Sequence, residues 1–185
     1  MATNMLKKIS GLRLNPYINI IVFGDKVRNN FLDKLKENST SQNKFIGTIT
    51  HEYEIEDKKL FCNLWNVPAT STNNTRYFFS GQIDYCIIVC NINSETKKNL
   101  VEYIASVDSL CKNVDYVVIG ITTESSIKRI SSLETYIKQK GISCLKLTIN
   151  DWVKIQDFMS KLVKSIFLKR KTKLNQKFQE LIRQN

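Results

Sequence analysis

Short apolar runs recur along the chain and predict buried β-strands. They are YINIIVF (17–23), KLFCNLW (59–65), DYCIIVC (84–90), DYVVIGI (115–121) and ISCLKLT (142–148). Each run is rich in β-branched residues and almost continuously apolar, which is typical of strands covered on both faces of a parallel sheet. A further run, GTITHEYEI (47–55), alternates polar and apolar residues as an edge strand does. The EDKK turn after it predicts a β-hairpin with 59–65.

Helical patterns separate the later strands. We predict helices near 95–112, 126–140 and 151–168, the last because apolar residues recur three and four positions apart. The predicted fold class is α/β, a doubly wound, mostly parallel six-stranded sheet with one antiparallel edge strand and helices on both faces. We divide the chain into an N-terminal extension (1–15), a domain (16–168) and a basic amphipathic C-terminal helix or tail (169–185).

The composition is that of a globular protein, with 42% hydrophobic and 24% charged residues. No apolar run reaches the roughly 20 residues of a membrane span, and the first residues lack the apolar core of a secretory signal. The five cysteines form no CxxC pair and accompany a single histidine, so we expect no metal site. We interpret them as reduced thiols of a cytoplasmic protein.

The positive charge is concentrated in the tail. Residues 169–185 contain six Lys or Arg and one Glu, so they carry +5 of the net charge of +11. This amphipathic segment could contact an anionic membrane, a partner's groove or its own domain, and the sequence leaves these three alternatives open. The interpretation that we favour is simpler, a solvated extension of the last helix. The candidate contact residues are Lys169, Arg170, Lys171, Lys173, Lys177 and Phe178. An alternative function is binding of an anionic membrane or of nucleic acid through this basic tail. We disfavour nucleic acid, because the sequence contains no nucleic-acid-binding motif.

Three stretches carry a resemblance to a known family. IIVFGDKVRNNFLDKL reads as strand, glycine, short loop and helix, the local pattern of a phosphate-binding loop. LFCNLWNVPATSTNNTRYFFSGQIDYCIIVCNINSE follows, and then VVIGITTES with ISCLKLTIND. In order and spacing the chain resembles a Ras-superfamily small GTPase of the Rab branch from residue 17 to about 168. The resemblance implies a nucleotide site at the loop after the first strand.

The positions that would hold nucleotide depart from the family's motifs. Asn29 and Asn30 stand where the resemblance places the phosphate-binding Lys and the Mg²⁺-binding Ser or Thr, and Arg28 replaces a glycine. Phe45 replaces the threonine of switch I. The degenerate positions are Gly24, Lys26, Arg28, Asn29, Asn30, Phe45, Asn66, Ala69, Thr122 and Glu124. Asn66 and Ala69 replace the Asp and Gly of Asp-x-x-Gly, while Thr122 and Glu124 lie in the altered guanine-reading motif.

These departures imply a pseudo-GTPase without bound cofactor, metal or hydrolytic activity, because the oxygen ligands that Mg²⁺ requires are missing. The charges of Lys26 and Arg28 either attract an anion or are solvated on a βα turn, and we favour the second interpretation. The alternative is a divergent small GTPase that binds GTP or GDP with Mg²⁺. In that case Lys26 or Arg28 would replace the phosphate-binding lysine, and Glu124 would read guanine.

The family's switch regions and the hairpin between them bind protein partners. Phe45, Trp65, Tyr77 and Phe78 fall on this face by position and are our candidate partner-binding residues, with completion of the core as the alternative. We therefore expect a non-catalytic, protein-binding scaffold in membrane trafficking or in mimicry of host trafficking. It would be cytoplasmic and peripheral to a membrane if the tail binds lipid. The sequence ends LIRQN, so no family-style prenylation is expected.

Overall fold

Seven strands form one mixed sheet in the computed structural model, which describes residues 14–37, 39, 41–43, 48–68, 83–91, 96–111, 114–122, 131–148 and 151–183. The strands are β1 (Tyr17–Gly24), β2 (Ser41–Asn43), β3 (Thr48–Ile55), β4 (Lys58–Pro68), β5 (Tyr85–Asn91), β6 (Asp115–Thr122) and β7 (Cys144–Thr148). The described helices are α1 (Val27–Lys36), α2 (Thr96–Leu110), α3 (Ser131–Gln139) and α4 (Trp152–Arg183).

The sheet order is β2-β3-β4-β1-β5-β6-β7. Neighbouring strands from β4 to β7 are parallel, whereas β3 is antiparallel to both β2 and β4. The α/β class and the mostly parallel sheet with one antiparallel strand are confirmed. The six predicted strands are present, and the short strand β2 is a seventh that we did not predict. Because β2 lies outside β3, β3 is not the edge strand.

The predicted hairpin is also present. β3 and β4 are joined by Glu56 and Asp57, whose φ angles are 51° and 59°. Positive φ at both central residues is the geometry of a type I′ turn, whose twist matches that of the flanking strands.

Helices cover both faces of the sheet. The first core cluster lies between the sheet and helices α1 and α4, which contribute Phe31, Leu32, Leu35, Ile155, Met159 and Val163 among others. The second core cluster lies on the other face, where Ile21 and Phe23 of β1 meet residues of α2 and α3, namely Leu100, Val107 and Ile137. The central strand β1 is buried on both sides as its continuous apolar pattern predicted.

Helix α4 is continuous from Trp152 to Arg183 and therefore crosses the predicted boundary at residue 169 without a break. At 1.5 Å per residue it is about 48 Å long. Among the described residues no helix is long and apolar enough to cross a membrane.

The cysteines are free thiols, of which only Cys144 is exposed. Burial raises the pKa of Cys90 to about 12, so this thiol is neutral and unreactive at pH 7.

Candidate functional site

The loop after β1 lies where three parallel strands end together. Gly24 is paired with Pro68 of β4 and with Val89 of β5. Its φ is +135°, and a Cβ atom at this position would lie 1.9 Å from the carbonyl oxygen of Val89. Only glycine permits this approach. The glycine that gives the loop its phosphate-binding appearance is thus required for packing β1 against β5.

The carboxylate of Asp25 occupies the N-terminus of helix α1. Its Oδ1 accepts a hydrogen bond from the backbone N–H of Val27 at 2.9 Å. Its Oδ2 accepts one from the backbone N–H of Asn91 at 2.9 Å. A helix N-terminus attracts anions because its first amides lack partners within the helix. In this protein the side chain of Asp25 is the anion, and it also ties α1 to the end of β5.

The next amides of the first turn are also used within the loop. The N–H of Arg28 donates to the carbonyl oxygen of Asp25, and the N–H of Asn29 donates to that of Lys26, both at 3.1 Å. A phosphate in this position would have to replace these bonds in addition to the Asp25 carboxylate.

Arg28 fills the interior of the loop. Its side chain is buried, with 5% of the residue exposed. The guanidinium donates to the carbonyl oxygen of Gly24 at 2.7 Å, to Oδ1 of Asn66 at 2.5 Å and to Oδ1 of Asn29 at 3.3 Å. Burial lowers the pKa of Arg28, and the nearby charge of Asp25 opposes that shift. An arginine retains its proton in such surroundings, so the loop holds a buried cation.

Asn66 completes this arrangement from β4. Its amide nitrogen donates to Oδ1 of Asn29 at 3.4 Å while its oxygen accepts from Arg28. Gly24, Asp25, Arg28, Asn29 and Asn66 therefore form one hydrogen-bonded set, which we call the loop network. Its donors point at acceptors of the protein itself.

The predicted nucleotide-site residues differ in where the structure places them. Lys26, Asn29 and Asn30 are exposed, so for Lys26 the choice between a solvated charge and an anion contact stays a prediction. For Arg28 the interpretation of a solvated charge is wrong, because two carbonyl-type acceptors and the Asp25 charge offset the desolvation of the guanidinium. Thr122 ends β6 and pairs with Thr148, and nothing is described of its side chain. Phe45, Ala69 and Glu124 lie outside the described residues.

Trp65 is the one candidate partner-binding residue within the described part of the chain. It is half-buried on β4, packs against the second core cluster, and places Nε1 3.5 Å from Oδ1 of Asn19. One side of the indole thus contributes to the core while part of it remains accessible. Tyr77 and Phe78 lie outside the described residues.

The first basic residues of the predicted tail contact the domain. Lys169 forms an ion pair with Asp115, and Nζ of Lys171 lies 2.6 Å from the carboxylate of Glu56. Arg170 is only 17% exposed in its side chain and forms an ion pair with Asp84. Lys173 and Lys177 are exposed, and Phe178 is half-buried. Of the three alternatives for the tail, contact with its own domain is realised by residues 169–171.

Arg170 is the most densely bonded of these residues. Its Nε donates to Asp84 Oδ1 at 2.8 Å, and its Nη1 donates to the carbonyl oxygens of Asn15 and Tyr17 at 2.9 and 2.8 Å. The other carboxylate oxygen of Asp84 accepts the N–H of Asn19 at 2.8 Å. This pair fixes α4 to the amino-terminal ends of β1 and β5.

Sequence reasoning missed Asp25 and Asp84. The role of Asp25 could have been predicted, because an aspartate between a strand and a helix commonly accepts hydrogen bonds from the first helical amides. No local pattern indicated a role for Asp84, since its partner Arg170 is 86 residues away in the sequence. Within the described ranges, no group of three or more His, Cys, Asp or Glu could hold a metal ion.

Neither a scan of the chain against protein-family models nor a search of curated proteins finds a match. The loop network and the docked C-terminal helix are therefore the basis for assigning a function.

Proposed function

We propose that this protein is a Rab-like pseudo-GTPase, a non-catalytic protein-binding module that holds no nucleotide. The order of strands β3 to β7, with β3 alone antiparallel, supports the resemblance to small GTPases. So does the pairing of the first and last described helices on the same face of the sheet. The observation that carries the proposal is the buried guanidinium of Arg28 inside the loop.

Binding of a phosphate would disrupt the loop network. The anion would have to displace the Asp25 carboxylate from the N–H of Val27, and the two negative charges would repel each other. Displacing Asp25 would also take its Oδ2 away from the N–H of Asn91. In its present form the loop pairs these donors and acceptors within the protein.

Binding of a metal ion is disfavoured for a related reason. Asn66 stands where the resemblance places a metal-steadying aspartate, and it supplies an amide in place of a carboxylate. Its Oδ1 already accepts from Arg28 at 2.5 Å. A divalent cation at this oxygen would lie beside a fixed guanidinium, and Mg²⁺ prefers carboxylate, hydroxyl and phosphate oxygens.

A protein-binding role is consistent with the hairpin of β3 and β4, which the fold retains. Without a γ-phosphate, the partner-binding face has no ligand to switch it between two conformations, so it presents a single surface. Trp65 lies on the hairpin strand of that face with part of its ring accessible. A constitutive Rab-like surface would suit a scaffold in membrane trafficking or a mimic of host trafficking proteins.

Trp65 provides the test of this role. Wild-type protein and variants would be used to capture cross-linked partners from cytosol, with quantitative mass spectrometry as the readout. We expect Trp65→Ala to reduce capture of specific partners at least about tenfold, as for an aromatic hot spot. Val153→Ala is the control, because Val153 is 75% exposed on α4, far along the chain from the hairpin.

The interpretation requires that Trp65→Ala remain folded, which a thermal melt would verify. Trp65→Phe preserves more of the packing against the second core cluster and should retain intermediate binding. Equal capture by wild type, Trp65→Ala and Val153→Ala would overturn the assignment of the hairpin face as the partner surface.

A further inference from the structure

Strand β3 has an outer edge that β2 covers only in part. β2 pairs with residues 48–50, whereas β3 continues to Ile55. The edge of a sheet presents backbone N–H and C=O groups to which a further strand can bond. Within the described part of the chain, residues 51–55 of β3 have no strand on this side, and we call them the open edge.

The hairpin turn fixes which backbone groups of the open edge point outward. In a hairpin with a two-residue loop, the residues that flank the loop form a hydrogen-bonded pair, here Ile55 and Lys58. Such pairs alternate with pairs that are not hydrogen-bonded, so the N–H and C=O groups of Glu52 and Glu54 point away from β4. Thr50, two residues before Glu52, pairs with β2 in the same direction. Among the described residues, nothing forms a hydrogen bond with the outward groups of Glu52 and Glu54.

A cavity of about 340 Å³ lies beside the open edge, between β3 and helices α1 and α4. Its floor is apolar, formed by Leu35 and Met159, and its walls carry the polar side chains of His51, Tyr53, Gln156 and Ser160. The cavity is large enough for a leucine side chain, since about 150 Å³ already holds a benzene molecule.

The cavity reaches the backbone of β3 at the open edge. Glu52 contributes to its lining together with His51 and Tyr53. Successive side chains of a strand point to opposite faces, so the side chain of Glu52 lies on the other face from those of its two neighbours. A strand added to the open edge would therefore direct the side chain opposite Tyr53 toward this cavity.

The charges of the open edge define the chemistry of its occupant. Glu52 and Glu54 are both exposed, and Glu52 pairs with Lys59, whereas Glu54 forms no ion pair with any residue that the structure describes. Opposite charges on directly paired strand residues are stabilising, and like charges are destabilising. A second copy of β3 would place glutamates against glutamates, whereas a strand with lysine or arginine at these two positions would be complementary.

We propose that the open edge of β3 binds an extended segment of a partner protein by strand addition. The backbone of that segment pairs with Glu52 and Glu54, its lysine or arginine side chains lie opposite these glutamates, and the apolar side chain between them enters the cavity. Alternating basic and apolar residues are thus the sequence pattern of the partner. Trp65 lies on β4 and is not part of this surface, so the inference does not depend on the role proposed for Trp65.

A synthetic peptide added to the full chain tests this proposal. The probe is acetyl-Thr-Lys-Leu-Lys-Val-amide, whose two lysines have the spacing of Glu52 and Glu54. In two-dimensional NMR spectra, millimolar probe should shift the amide signals of residues 51–55 in a saturable manner. It should also slow hydrogen exchange at the amides of Glu52 and Glu54 about tenfold or more. Unchanged signals and exchange at these amides would overturn the proposal.

Two N-methylated peptides separate backbone pairing from attraction of charge alone. N-methylation of both lysines removes the N–H groups that would face Glu52 and Glu54, and it should abolish saturable binding. N-methylation of the leucine, whose N–H points away from β3, should change the affinity by less than about twofold. Equal affinity of the two methylated peptides would contradict strand addition.

A charge reversal in the protein tests the other half of the match. Glu54→Lys should weaken binding of the probe at least about fivefold. Glu102→Lys makes the same change at an exposed position of α2 and should leave the affinity unchanged. Equal affinities of these two variants would contradict the charge complementarity.

The free protein offers a further check without any peptide. The amides of Glu52 and Glu54 should exchange rapidly, because their N–H groups point to solvent. Slow exchange at both amides would overturn the proposal, since the edge would already be occupied by the protein's own chain. Protection that increases with protein concentration would overturn it as well, because the occupant would then be a second copy.

Discussion

The Nε atom of Arg28 lies 2.5 Å from Oδ1 of Asn66, which joins the first turn of α1 to the end of β4. An arginine and an asparagine thus meet at the point where the family resemblance places phosphate and metal. Together with Asp25 they satisfy the loop's own donors and acceptors. The loop after β1 is filled by the protein's own side chains.

Gly24 should be essential for folding. We predict that Gly24→Ala destabilises the protein by more than about 3 kcal/mol, because the added Cβ would lie 1.9 Å from a backbone oxygen at a φ of +135°. Gly141→Ala is the control: its φ is +63° but no atom lies within 4 Å of the added Cβ, so we expect a loss of about 1 kcal/mol. Urea unfolding measures both, and equal losses would contradict the packing role of Gly24.

Asp25 should stabilise the fold in the absence of any ligand. We predict that Asp25→Ala lowers the free energy of unfolding by about 2 kcal/mol, since it leaves the N–H groups of Val27, the first residue of α1, and of Asn91 without this acceptor. Asp33→Ala on the same helix removes only an exposed ion pair with Lys36 and should change it by less than about 0.5 kcal/mol. If Asp25→Ala were neutral or stabilising, the carboxylate would not be the built-in anion of the loop.

Much of this fold follows from local pattern. The apolar runs of β1, β5 and β6 predicted central strands because both of their faces are buried, and the turn at Glu56 and Asp57 predicted the hairpin. β2 was missed because SQN is short and polar and carries no periodic signal.

The state of the loop could be predicted only in part. The sequence indicated that a side chain at position 28 intrudes into the loop, but the burial of Arg28 depends on Asn66, 38 residues away. No local pattern reports a contact at that separation. The same holds for Asp84 and Arg170, whose ion pair makes the C-terminal helix part of the domain.

Arg170 should contribute more to stability than its basic neighbours. We predict that Arg170→Met costs about 3 kcal/mol, because Asp84 and two backbone carbonyls would lose a partly buried donor. Lys169→Met removes an exposed pair with Asp115 and should cost less than about 1 kcal/mol. Chemical unfolding monitored by circular dichroism measures the difference, and equal costs would show that Arg170 does not anchor α4.

The contact between Lys171 and Glu56 should make a pH-dependent contribution to the stability of the folded protein. The hydrogen bond from Lys171 lowers the pKa of Glu56 below its ordinary value of 4.5. A lowered pKa in the folded state stabilises the protein above pH 4.5, and this contribution is lost as the pH falls through the folded-state value. We expect wild type to melt at a higher temperature than Lys171→Met at pH 6. The difference should shrink as the pH falls below 4.5 and disappear once Glu56 is protonated in the folded protein. High salt should reduce it, since the pair is exposed.

The most direct test of the central claim is the nucleotide content and nucleotide affinity of the purified full-length protein. Protein isolated without added nucleotide would be denatured, its supernatant analysed for guanine and adenine nucleotides, and the native protein titrated calorimetrically with GDP and GTP in the presence of Mg²⁺. If the protein is a pseudo-GTPase whose loop is filled by its own side chains, the supernatant should contain no stoichiometric nucleotide. The titration should show no saturable heat of binding up to millimolar nucleotide. One equivalent of GDP or GTP per chain, or saturable binding that Arg28→Ala weakens, would contradict that assignment.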